Sequence, residues 1–167
     1  MTINISCGKR LGFLSFICIA TVAIFVLTAL EADAVQPKKV IYETDMCLDV
    51  DDVGGLAMLH ALADRGEVEL LAVTFNEVHK SGAAAIDAIN TWYKRGNIPV
   101  GVYKKPLGRP DSSRYLDSVA KFPHDLTQKT APTALEVYKR VLARQPDHSV
   151  TIISVGFLNN LHDLLKD

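Results

Sequence analysis

Lys38-Lys39-Val40-Ile41-Tyr42-Glu43-Thr44-Asp45-Met46-Cys47-Leu48-Asp49-Val50-Asp51-Asp52 is the stretch on which the rest of the chain depends. An apolar run with the form of a short buried strand ends in four aspartates, Asp45, Asp49, Asp51 and Asp52. Apolar and small residues follow at helical spacing: Val53, Leu56, Ala57, Leu59 and His60. Carboxylates this close repel one another unless a positive group sits among them. Hard oxygen donors of this kind suit Ca²⁺ or Mg²⁺. Helix capping by Asp51 or Asp52 accounts for one aspartate and leaves the others unexplained.

Outward from this stretch the pattern alternates. Strands are expected over 40–44, 68–74, 98–102 and 149–155, and helices over 51–65, 81–95, 133–144 and 158–165, with Pro132 at the first position of the third. The run Val68-Glu69-Leu70-Leu71-Ala72-Val73-Thr74 is nearly continuous in apolar character, as in a strand buried on both faces. Strand–helix repetition predicts an α/β fold: an open, mostly parallel sheet with helices on both faces, of Rossmann-like type. Residues 104–130 break the pattern, with Pro106, Gly108, Pro110 and Pro123 and a short helix near 115–121. A connection of this length is commonly functional or mobile.

In such sheets the ligand lies beyond the carboxyl ends of the strands. Those ends are the aspartate loop, Asn76 to His79, and Val155-Gly156. His79 is expected to be a solvated loop histidine, and Trp92, at helical spacing with Ile89, to pack in the core. The pair His124-Asp125 falls in the long connection and is a candidate for covering the site.

The chain has 167 residues, 49% hydrophobic and 22% charged, with a net charge of −1, which is enough for one domain with a core. No basic patch argues for nucleic acid. Lys9 and Arg10 precede the apolar run 11–30, and Ala32-Asp33-Ala34 follows as a small-x-small cleavage site. Residues 1–34 therefore read as a signal peptide and 35–167 as the mature α/β domain, exported to a periplasm or secreted and free of the membrane after cleavage. The alternative is an uncleaved membrane anchor. Cys7 and Cys18 fall in the leader, so Cys47 alone is left in the mature part and no internal disulfide is expected.

Three motifs compete for the aspartates. An EF-hand loop starting at Asp49 fails, because Val53 and His60 occupy ligand positions. Asp49-x-Asp51-x-Val53 resembles the loop of haloacid-dehalogenase-type phosphatases, but there the first aspartate directly follows the strand. The pattern strand, Glu43-Thr44-Asp45-x-x-x-Asp49-x-Asp51-Asp52, helix resembles the nucleoside hydrolase family of the inosine–uridine-preferring type. Leu70 to Thr74 resembles that family's second strand, which leads to a ribose-binding asparagine. Ile98 to Tyr103 resembles its third, and Ser154-Val155-Gly156-Phe157-Leu158-Asn159-Asn160-Leu161 resembles its Gly-x-Leu-Thr-Asn-Leu turn.

The resemblance implies hydrolysis of the N-glycosidic bond of a small-molecule nucleoside. It implies a Ca²⁺ held by Asp45, Asp52 and the main-chain carbonyl of Val155, with Asp49 as an alternative ligand. Asp45 would be the general base, and Asp51 and Asn76 would bind the sugar, with His124 and Asp125 as further contacts. Full-length relatives form homo-oligomers. Glu43 replaces the family's usual aspartate, and Cys47 stands where glycine is common. The similarity covers only the amino-terminal half of such enzymes. Their second half supplies a further metal ligand and a histidine near the leaving base. Weak metal binding with little turnover, or a non-catalytic metal- or ribose-binding remnant, is therefore also expected.

Overall fold

A computed structural model describes residues 36–108, 113 and 115–167. The signal-peptide reading of 1–34 lies outside the described residues. Among those described, no helix is long and apolar enough to cross a membrane.

Pro37–Asp167 forms one compact unit. Its strands are β1 (Lys38–Thr44), β2 (Val68–Phe75), β3 (Val100–Val102) and β4 (Val150–Ser154). Its helices are α1 (Asp51–Asp64), α2 (Gly82–Trp92), α3 (Tyr115–Val119), α4 (Ala134–Leu142) and α5 (Asn159–Lys166). The sheet order is β3-β2-β1-β4 and every pairing is parallel. The fold is thus an α/β open parallel sheet.

Side-chain alternation on β1 divides the core in two. Val40 and Tyr42 belong to a cluster with Leu56 and Leu59 of α1, Ile86 of α2 and Leu116 of α3. Ile41 points the other way, into a cluster with Ala72, Ala134, Val137 and Tyr138, with Leu161 and Leu164 of α5 packed against it. Both faces of the sheet are therefore covered by helices, which is why the middles of the strands, Val40–Tyr42 of β1 and Leu70–Val73 of β2, are continuous apolar runs rather than alternating. The register between β1 and β2 slips once, at Val40/Ile41 opposite Leu70 and Ala72, so Leu71 is the extra residue of a bulge.

The third predicted helix starts later than its proline suggested. Thr133 is the N-cap, its hydroxyl accepting from the Glu136 N–H while the Glu136 carboxylate accepts from the Thr133 N–H. Pro132 lies just before this capping box, and its carbonyl accepts from Val102 N at 2.9 Å. Two other expectations are corrected. Trp92, the last residue of α2, is 77% exposed and not in the core, because the buried surface of α2 is supplied by Gly82 to Ala88 and Asn90. His79 is buried rather than solvated, and its Nδ1 accepts from Ser81 N at 3.2 Å at the entry to α2.

The described part of the long connection is tied down. The buried Asp87 carboxylate accepts from the N–H groups of Asp125 and Leu126 at 2.6 and 3.0 Å. Ser81 donates to Asp117 of α3.

Candidate functional site

The chain order along the sheet reverses at β1: β2 and β3 are added on one side and β4 on the other. In open α/β sheets the loops on either side of such a switch point flank the place where ligands bind. The aspartate loop and the Val155-Gly156 turn are the two loops concerned.

Main-chain bonds carry the sheet pairing a step past the strand ends. Asn76 N donates to Thr44 O at 2.9 Å, and Val155 N donates to Glu43 O at 3.0 Å. Asn76 and Val155 are thereby fixed on either side of Glu43-Thr44-Asp45. The turn after β4 also reaches across to β2. Asn76 Nδ2 donates to Phe157 O at 2.6 Å, Asn159 Nδ2 to Asn76 O at 2.9 Å, and Asn160 Nδ2 to Phe75 O at 3.2 Å.

Gly156 is the contact point. A Cβ there would lie 2.7 Å from Asn76 Oδ1, from Asp45 Cγ and from Asp45 N, so only glycine lets these three segments meet. Asn76 is fully buried, and its Oδ1 has no hydrogen-bond partner.

The start of α1 is held from below. Thr44 Oγ1 donates to Asp52 Oδ2 at 2.8 Å and accepts from Met46 N at 2.9 Å. The Tyr42 hydroxyl donates to Asp52 O at 3.1 Å, and Gly55 leaves room for it, since a Cβ there would come within 2.6 Å of the phenol oxygen. Burial and the neighbouring Asp52 and Asp51 charges push the Tyr42 phenol well above its usual range. Val50 occupies the N-cap position without a side-chain cap bond, so capping does not account for the aspartates.

The four carboxylates differ in environment. Asp52 is buried, and its pKa is pushed up to about 6 by burial and by a hydrogen bond and charge from Asp45. Asp45 is half-buried. Asp51 and Asp49 are exposed and hydrogen-bond each other, which holds Asp51 low and Asp49 high. Asp51 Oδ1 also accepts from Asp52 N at 3.0 Å. Asp45 and Asp52 thus form an inner pair, with Asp45 against Gly156 and Asp52 held by Thr44, and Asp49 and Asp51 an outer pair facing solvent.

His124 and Asp125 bond elsewhere: His124 Nδ1 lies 2.8 Å from Phe122 O, and Asp125 N is held by Asp87. An apolar pocket of about 600 Å³, lined by Val53, Ala57, Ile89, Trp92, Val119 and Phe122 among others, includes none of the predicted site residues. Cys47 is buried, and its backbone is not among the described non-glycine positions with positive φ, so no glycine is needed there.

No family model, curated protein or solved structure matches this chain.

A Ca²⁺ can be tested against the residues themselves. The inner corner offers two carboxylates, one of them pushed toward protonation by burial and then by the other, and an amide oxygen that is buried without a donor. These are hard oxygen donors with unmet demand for positive charge, and the donor chemistry fits Ca²⁺. Among the described residues, no group of three or more His, Cys, Asp or Glu side chains is placed to hold a metal ion.

Two residues that shape this corner escape a motif reading. Glu43 is fully buried on the face opposite Tyr42. It accepts from the Tyr138 hydroxyl and, at 3.0 Å, from Asn76 Nδ2, while Thr74 Oγ1 lies 3.0 Å from the Tyr138 oxygen. Burial pushes the Glu43 carboxyl up, and these hydrogen bonds oppose the rise. Burial and the adjacent Glu43 push the Tyr138 phenol up. In sequence, Tyr138 is one more apolar position on a helix, and only its phenol oxygen hints at a buried partner.

Proposed function

We propose that this chain is a nucleoside hydrolase-type domain that cleaves the N-glycosidic bond of nucleosides with the help of Ca²⁺. The observation that carries this reading is the approach of Asp45 and Asn76 to Gly156 at the sheet's switch point. This joins three of the four segments that resemble the family, although they lie far apart in the chain.

Asp45, Asp52 and the Val155 carbonyl would hold the cation, which when bound lowers the pKa of a water and anchors sugar hydroxyls. Asp45 is half-buried at the strand end and takes the proton of the attacking water as general base. The inner carboxylates favour the positive charge that develops on the sugar ring as the base departs. Asn76 Oδ1, which has no donor in the protein, would accept from a sugar hydroxyl in the corner. Asp51, held ionised by its bonds to Asp49 and the Asp52 N–H, accepts from a sugar hydroxyl at the rim. Asp49 lies outside the inner pair and does not follow the strand directly. That weakens its use as a phosphatase nucleophile and as a metal ligand alike.

A second reading is a metal- or ribose-binding domain without turnover. The two-carboxylate inner corner favours it, because Ca²⁺ commonly takes six to eight oxygens. The test is release of reducing sugar from inosine and uridine by the full chain, with Ca²⁺ and with EDTA. Calcium-dependent release supports the hydrolase. Calcium or ribose binding without release supports the second reading. Neither binding nor release refutes both.

A further inference from the structure

The buried Glu43–Tyr138–Thr74 network takes no part in the chemistry proposed above, yet it costs the fold a carboxyl removed from water. Its side chains reach the site through Asn76. Both N–H groups of the Asn76 amide are committed, one to Glu43 Oε1 at 3.0 Å and one to Phe157 O at 2.6 Å. Turning the amide over would set its oxygen against a carboxylate and a carbonyl, two acceptors facing a third. The amide therefore has one permitted orientation. In that orientation Oδ1, buried and without a donor, lies against Gly156 beside Asp45.

We infer that Glu43 is a positioning residue: it locks the Asn76 side chain so that an oxygen, and not an N–H, faces the Asp45–Gly156 corner. Tyr138 and Thr74 in turn fix Glu43, the phenol donating to Oε2 so that Oε1 is left for the amide. The role deepens the calcium–sugar reading and rests on it for what the oxygen meets. A cation or a sugar hydroxyl needs an acceptor there, whereas an N–H would repel the cation. Residues that orient groups in a metal site in this way commonly change metal affinity 10- to 100-fold when removed.

The test compares Glu43→Gln, Glu43→Leu and Glu43→Leu/Asn76→Asp in the full chain, each checked for native circular dichroism. Two readouts are taken: the Asn76 side-chain amide resonances by ¹⁵N-edited NMR, and Ca²⁺ affinity by calorimetry. Glutamine keeps an oxygen for Asn76, so Glu43→Gln retains both amide resonances and binds Ca²⁺ within about threefold of the parent. Glu43→Leu shifts the amide protons upfield, speeds their exchange, and weakens Ca²⁺ about tenfold or more. An aspartate at position 76 presents oxygen in either orientation, so the double variant recovers the affinity lost in Glu43→Leu. A general loss of structure would not be repaired in this way. Unchanged Asn76 resonances in Glu43→Leu, or no recovery in the double variant, would overturn the inference. If the parent chain binds no Ca²⁺, the calcium reading fails, and the Asn76 resonances alone decide the role of Glu43.

Discussion

Thr44 Oγ1 donates to Asp52 Oδ2 at 2.8 Å while accepting from Met46 N at 2.9 Å, so one hydroxyl fastens the end of β1 to the first turn of α1. Thr44 is fully buried, and neither partner has ready access to water. Thr44→Val keeps the shape and removes the hydroxyl. It leaves a buried N–H and a buried carboxylate each short of a bond, for an expected loss of about 1–3 kcal/mol. Thr44→Ser, which keeps the hydroxyl, should lose less than half of that. Urea unfolding at pH 7 measures both.

Asp52 is held in the fold at some cost. Its folded pKa of about 6 lies above the ordinary 3.8, so the folded state keeps its proton after the unfolded chain has released it. Its contribution to stability is therefore present at low pH and is lost as pH rises from about 4 through about 6. Asp52→Asn abolishes this loss. Thermal melts in EDTA should show the variant more stable than the parent at pH 7, by roughly 1 kcal/mol after allowance for screening by water in the half-open loop. The same substitution should weaken Ca²⁺ at least tenfold, a trade of stability for function that is common in active sites.

His60 gives the opposite slope. It is buried between α1 and α2, stacked on Tyr93 with ring centroids 4.4 Å apart, and its Nε2 lies 2.9 Å from Asn90 Oδ1. Burial holds its pKa below the ordinary 6.5. The unfolded chain then takes up a proton more readily, and the fold loses stability as pH falls below about 6.5. A His60→Gln variant should show a flatter decline in urea midpoint between pH 7 and pH 5 than the parent. Because the Asp52 and His60 contributions run in opposite directions, the two single variants separate them.

Gly156 admits no side chain. Gly156→Ala puts a methyl 2.7 Å from Asp45 and Asn76 and forces the turn away from β1. The expected cost is about 1–3 kcal/mol in stability. Loss of Ca²⁺ binding should accompany it, while Gly54→Ala, where a Cβ meets nothing within 4 Å, should leave binding unchanged. Calorimetric titration of the two variants makes the comparison.

The strands and helices were legible because β1 and β2 are apolar runs between turn residues and α4 has one apolar stripe. The parallel sheet followed from their alternation. Strand order was not legible: nothing local to 150–154 says that it pairs with β1 rather than with β3. That placement makes the Val155-Gly156 turn face the aspartate loop. The aspartate loop and Asn76 were readable together from position at strand ends, but the inner and outer pairing of the carboxylates was not, since it depends on which of them Thr44 holds. Trp92 misled because helical spacing gives the face of a residue, but not whether another element covers that face at the helix end. Glu43 stood out in sequence only as a substitution of aspartate. Its extra methylene acquires meaning from Tyr138, which lies beyond two further strands.

Trp92 is the only tryptophan in the chain, and it stands 77% exposed on the rim of the apolar pocket beside Phe122. Its emission should therefore already be red-shifted in the native protein and readily quenched by acrylamide. Unfolding would then change the emission wavelength little, and tryptophan fluorescence would under-report global denaturation. A blue shift on adding a compound or partner would instead mark occupation of this pocket, which gives the molecule a built-in optical label on a wall that begins at Val53, the residue after Asp52.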